Sequence, residues 1–204
     1  MQTPSHLILA CGALAREIVE LKRTNGWRHV SVQCLPPELH NRPGNIPDAV
    51  RAKLEALSDN YQSIFVAYAD CGTGGALDRV LEDYGIERIP GAHCYQFYAG
   101  TRLFQQLADA EPGSFYLTDF LVRHFERLVW QGLGLDRHPE LQSAYFGNYR
   151  KLVYLAQTRV DGLVEQAKAA AERLGLAYEY RYTGFGELEH SLSEFTTGET
   201  AWEN

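Results

Sequence analysis

Hydrophobic positions along this chain follow two alternating rhythms. Short runs that are continuously apolar, or apolar at every second residue, read as strands; each is followed by a stretch in which apolar residues return every three or four positions, as on one face of a helix. The rhythm predicts strands at His6–Cys11, His29–Cys34, Ser63–Tyr68, Ile86–Ile89, Ser114–Leu117, Leu152–Ala156 and Ala177–Tyr182. Between them it predicts helices through Leu14, Ile18 and Leu21, through Val50, Leu54 and Leu57, through Leu77, Val80 and Leu81, and through Phe97, Leu103, Phe104 and Leu107. Pro47 suits the first turn of the second of these, Thr118 is a natural N-cap for a helix through Phe120, Leu121, Phe125 and Val129, and Gly162–Leu174 is the most regular helix of all.

Strand–helix–strand repetition of this kind predicts an α/β protein: an open, largely parallel sheet with helices on both faces, a Rossmann-like three-layer sandwich. Ser63-Ile-Phe-Val-Ala-Tyr68 is nearly continuous in apolar character, as a central parallel strand covered on both faces requires. No Gly- or Pro-rich linker divides residues 1–204, which are therefore expected to form one domain. The long helical stretch from Thr118 to about Tyr149 interrupts the alternation and suggests a sublobe over residues 114–190, and the polar residues 196–204 are expected to fray.

Composition narrows the function. The chain has 204 residues, 45% hydrophobic and 22% charged, with a net charge of −7, which disfavours nucleic acid or an anionic membrane as the principal partner. The longest apolar stretch near the start, Leu7 to Ala15, is too short to span a bilayer and no basic segment precedes it, so the expectation is a cytoplasmic protein acting on a small-molecule ligand. Its four cysteines are then reduced thiols rather than a disulfide framework. There is no Gly-x-Ser-x-Gly elbow and no His-Glu-x-x-His helix, which sets aside ordinary serine hydrolases and zincins.

In an open parallel sheet, ligands bind beyond the carboxyl ends of the strands. Cys11, Cys34 and Cys71 fall at the ends of the first three predicted strands, His40 lies in the proline-rich loop after the second, and His93 and Cys94 begin the helix after the fourth. Thiolates and imidazoles gathered at one edge suit zinc, or less readily iron or an iron–sulfur cluster. Each of these residues also has a plainer reading, since free cysteine often only fills space and a lone histidine is usually a hydrogen-bonded group. Cys34, followed by Leu35 and two prolines, has the weakest case. Cys11, Cys71 and Cys94 are the favoured ligands, with His40 or His93 as the fourth, and only one of His93 and Cys94 is expected to face inward because neighbours at a helix start diverge by about 100°.

A second constellation is Asp70-Cys-Gly-Thr-Gly-Gly75. Glycines at a strand-to-helix turn let a ligand approach the backbone, and the helix start offers N–H donors to an anion. Asp70, Gly72, Thr73, Gly74 and Gly75 would then bind a nucleotide or S-adenosylmethionine without a metal. Against this, the loop follows the third strand rather than the first, and no acidic residue ends the next one. Asp78 and Arg79 beyond it are expected to form a solvated ion pair.

Cys11-Gly-Ala-Leu-Ala-Arg-Glu17, Leu39-His-Asn-Arg-Pro43, Asp70-Cys-Gly-Thr-Gly-Gly75, Ile89-Pro-Gly-Ala-His-Cys-Tyr95 and Phe115-Tyr-Leu-Thr-Asp119 together resemble a bacterial and archaeal family known as domain of unknown function 1638. Its members are often encoded beside corrinoid-dependent methyltransferases and their corrinoid proteins, so the resemblance implies a link to one-carbon metabolism and a corrinoid protein or methyltransferase as partner. The residues carried by the motifs are Cys11, His40, Cys71, His93 and Cys94. Two roles for a metal centre follow as expectations: a metal-dependent methyltransferase, or a non-catalytic accessory or metal-delivery protein for a corrinoid system. Oligomeric state is not legible in the sequence.

Overall fold

The computed structural model describes residues 5–197. It is an α/β protein of Rossmann-like type in which all six strands are parallel to their neighbours, shared between two sheets of three. The chain forms two compact units: one runs up to Cys94 and resumes at Leu188, and the other is Tyr95–Glu187.

In the first unit β1 (His6–Cys11) lies between β2 (Val30–Leu35) and β3 (Ser63–Ala67). Leu7, Ile8, Leu9 and Ala10 of this central strand are wholly buried, which is why it reads as a continuous apolar run. The connecting helices α1 (Ala15–Thr24) and α2 (Ile46–Leu57), with α3 (Ala76–Glu82) after β3, bury Ile18 and Leu21, Val50 and Leu54, and Leu77 and Leu81. Pro47 stands in the first turn of α2. The expected strand Ile86–Ile89 is not formed; Val66 and Arg88 make a single parallel bridge. Pro90 has no N–H to continue a ladder, and Arg88 turns its guanidinium onto Asp78 and the Ile89 carbonyl.

Helix α4 (Cys94–Ala99) leads from Cys94 into the second unit, which continues with α5 (Thr101–Ala110) and then places β5 (Lys151–Ala156) between β4 (Ser114–Thr118) and β6 (Ala177–Tyr182). Strand periodicity sorts the β5 side chains into two faces. Leu152, Tyr154 and Ala156 join a core with Val122 of α6 (Asp119–Arg123) and with Leu163, Ala167 and Ala170 of α8 (Asp161–Leu174). Val153 and Leu155 join Leu107 of α5 and Tyr116 on the other face. Helices on both faces are what the three-layer expectation requires. The Thr118 hydroxyl accepts the Leu121 N–H and caps α6. The stretch after it is not one helix, because α6 gives way to a π-helix at Phe125–Trp130 and then to α7 (Leu141–Phe146).

The last helix, α9 (Glu187–Thr197), buries Leu188 and Leu192. Thr196 and Thr197 belong to it, and Thr196 is buried and hydrogen-bonded to Ser193, so these two residues are not part of a frayed tail; residues 198–204 of that expectation lie outside the described residues. Among the described residues no helix is long and apolar enough to cross a membrane.

A candidate thiol centre

Three loops at the carboxyl edge of the first sheet meet in a thiol cluster. The parallel register pairs Ala10 with Ala67; one step further along, Cys11 at the end of β1 comes level with Tyr68. There β3 stops, with the Tyr68 N–H turned back to the Val66 carbonyl. The chain then passes through Asp70 and Cys71, whose N–H groups donate to the carbonyls of Gly91 (3.1 Å) and Ala92 (2.8 Å). This lacing carries Cys71 against Cys94, the first residue of α4, with the two Sγ atoms 2.9 Å apart. Cys71 has φ 49°, the only positive φ outside glycine among the described residues. Arg88 adds a second tie: its guanidinium holds both Asp78 oxygens, at 2.5 and 2.9 Å, and the carbonyl of Ile89, at 2.8 Å, fixing the Cys94 loop to α3. Asp78 therefore pairs chiefly with Arg88 rather than with the neighbouring Arg79.

Burial governs the chemistry of these groups. Cys11, Cys71 and Cys94 are 4%, 6% and 8% exposed. Desolvation disfavours a thiolate, and it pushes Cys11 up to about 11 against the opposing help of the Ala13 backbone N–H. The Cys71–Cys94 pair divides its proton unevenly. Cys71 is lowered, first by the hydrogen bond from Cys94 and then by backbone N–H groups including that of Cys94, while Cys94 is raised by the same hydrogen bond and by burial.

Tyr68 was not singled out by the sequence. It is 1% exposed, and its hydroxyl makes no conventional hydrogen bond. Burial and the neighbouring sulfurs of Cys11, Cys94 and Cys71 all raise its pKa. A buried hydroxyl without an oxygen or nitrogen partner is costly, and this one faces the thiol cluster. An aromatic residue at the end of a buried strand reads as core; the signal that marks Tyr68 is its register with Cys11.

The remaining candidates divide. Cys94, not His93, faces Cys71. His93 is half-buried and His40 exposed. Both are lowered first by desolvation, His40 further by His93, whereas Asp70 works against the shift at His93. His93 thus acts on His40, and Asp70 on His93. Cys34 is exposed. Among the described residues no three His, Cys, Asp or Glu side chains are arranged to hold a metal ion.

The glycine loop is bound to itself. Asp70 accepts the N–H groups of Gly75 (2.8 Å), Gly74 (3.1 Å) and Gly72 (3.2 Å) and the Thr73 hydroxyl (2.7 Å). These bonds, that of Gly75 foremost, bring the Asp70 carboxyl down to about 2. The amides that an anionic cofactor would use already serve a carboxylate two to five residues upstream, as in an Asx turn. These bonds hold the loop together around Cys71.

Asp119, the last residue of the Phe115–Asp119 motif, is likewise internal. It is 2% exposed, and its carboxylate accepts the Tyr154 hydroxyl (2.7 Å), the Gln157 N–H (3.0 Å), the Thr158 N–H (3.1 Å) and the Thr158 hydroxyl. The Asp119 N–H in turn donates to Gln157 Oε1 at 2.8 Å.

Residues 34–192 match a family model described as "Protein of unknown function (DUF1638)". The matched span takes in His40, Cys71, His93 and Cys94 and begins after Cys11. No curated protein matches the chain.

Proposed function

This chain belongs to the DUF1638 family, and from that premise we propose that Cys71 and Cys94, with Cys11 beside them, are the thiolate centre for a thiophilic metal ion, zinc, in methyl transfer between a corrinoid protein and a thiol. The observation that carries the reading is the 2.9 Å contact between the Cys71 and Cys94 sulfurs at the sheet edge where α/β proteins bind ligands. Soft sulfur donors suit zinc, and the buried Tyr68 phenol beside Cys11 adds a hydrogen-bonding group to the cluster. Such an ion would keep a thiol deprotonated, and so nucleophilic, at neutral pH. Cys71 and Cys94 provide the firm part of the ligand set; Cys11 stands beside them and would have to shift to join it, and a substrate thiol would complete the coordination. His40, influenced by His93, and His93, influenced by Asp70, line the approach in this reading.

The test is the metal content of protein purified anaerobically without a histidine tag, followed by methyl-transfer assays with a methyl-corrinoid protein. About one zinc per chain is expected, lost in Cys71→Ser and in Cys94→Ser, with transfer abolished in Cys71→Ser. A metal-free wild type, or turnover unchanged in Cys71→Ser, overturns the proposal. Zinc retained with a stable corrinoid-protein complex and no turnover would instead identify an accessory or delivery protein. The metal-free S-adenosylmethionine reading has less support, because Asp70 already occupies the loop amides.

A further inference from the structure

We infer that Cys71 and Cys94 are also a peroxide-oxidisable dithiol, a modification site that closes reversibly to a disulfide whether or not the centre binds a metal. A disulfide bond is about 2.05 Å long and the two sulfurs already lie 2.9 Å apart, so closure asks for less than about 1 Å of sulfur movement. The approach does not depend on two loops meeting by chance. The Asp70–Gly91 and Cys71–Ala92 hydrogen bonds lace the two cysteine-bearing segments together, and the Arg88 guanidinium anchors the second of them to Asp78. The Tyr68 hydroxyl, almost wholly enclosed, adjoins the same cluster through Cys11. Cys34, by contrast, is exposed and belongs to no such pair.

Enclosure selects the oxidant. Thiols that are 6% and 8% exposed admit hydrogen peroxide more readily than a bulky disulfide such as oxidised glutathione. The Cys71 sulfur, 2.9 Å from that of Cys94, acts as the first nucleophile. Its thiolate attacks one peroxide oxygen, the S–O bond forms as the O–O bond breaks, and the departing hydroxide takes up the thiol proton to become water. Cys94 then attacks the sulfenic sulfur of Cys71. The S–S bond forms, the S–O bond breaks, and the second hydroxide leaves as water with the proton from Cys94. In sum, two thiols and one hydrogen peroxide give one disulfide and two waters: the sulfurs lose two electrons and the peroxide oxygens gain them. An external dithiol reductant restores the pair.

The experiment uses the full chain, stripped with a chelator under anaerobic conditions and treated with a small excess of hydrogen peroxide. Arginines separate the four cysteines, so trypsin leaves each on its own peptide and mass spectrometry reads the linkage directly. The expected result is a mass decrease of two hydrogens, a crosslink between the Cys71 and Cys94 peptides, free thiols at Cys11 and Cys34, and full reversal by dithiothreitol. In Cys94→Ser the reaction should stop at a Cys71 sulfenic acid that dimedone traps. Linkage through Cys11 or Cys34, or oxidation of Cys34 while Cys71 and Cys94 stay reduced, overturns the inference, and the wild-type map decides the matter even if the variant fails to fold. A wild type that lacks metal yet closes the pair refutes the zinc centre and keeps this site; a zinc protein whose stripped form leaves the pair open does the reverse.

Discussion

Asp119 shows what a buried charge needs in this protein. A carboxylate removed from water is tolerated only when hydrogen bonds replace its hydration, and Tyr154, Gln157 and Thr158 supply them from β5 and the turn that follows it. Asp119→Ala would leave those donors facing an apolar methyl group, so a loss of about 3 kcal/mol of stability is expected by urea denaturation; a loss below about 1 kcal/mol would show that the network is dispensable. Residues separated by 35 to 39 positions make this node, which is why a sequence that displays Phe115–Asp119 as a motif does not disclose its purpose. The thiol centre was easier to read. Cys71 and Cys94 sit where strand ends and loops had to converge, but the choice between Cys94 and its neighbour His93 depended on the Cys71–Ala92 bond, and Tyr68 carried no signal beyond its place at the end of an apolar run.

Among elements, β1 and β6 begin and end where the apolar rhythm places them, at His6–Cys11 and Ala177–Tyr182. The failures have local causes. The Ile86–Ile89 segment has the composition of a strand, yet Pro90 and the Arg88–Asp78 pair hold it as a loop with one bridge. Without a strand there, the sequence between β3 and β4 offers no further run to extend the first sheet, and the parallel strands are shared between two sheets of three. Helix α9 begins next to Gly186, where an added Cβ would lie 2.2 Å from the Phe97 carbonyl oxygen and 2.5 Å from that of Tyr98. That glycine also has φ +54°, a region costly for other residues. Gly186→Ala is therefore expected to cost about 3 kcal/mol or more, read as a fall in the denaturation midpoint; an unchanged midpoint would contradict the packing described here.

At the scale of the whole molecule, acidity should be a distinct source of instability. His6 lies between the Ser5 hydroxyl, 2.7 Å from Nδ1, and the rings of His29 and Phe195, at 5.1 and 5.6 Å between centroids. Its pKa is lowered, by burial first and by His29 second, so the folded protein resists the proton that the unfolded chain accepts. Stability is then complete above the unfolded value of about 6.5 and is lost as the pH falls through the lower folded value. The melting temperature should be level from about pH 8 to 7 and decline below about 6.5, and His6→Phe should flatten part of that decline. A slope unchanged in the variant would assign the effect elsewhere.

The left-handed backbone of Cys71, φ 49°, carries a cost that any side chain there must bear, about 1 kcal/mol or more relative to glycine. Gly72, Gly74 and Gly75 in the same loop escape it. Among thiol-less variants, Cys71→Gly should consequently be more stable than Cys71→Ala by about 1 kcal/mol, reversing the usual order in regular structure. A loop that would relax with one more glycine, and instead keeps sulfur there, marks the thiol as the part of this position that folding alone would discard.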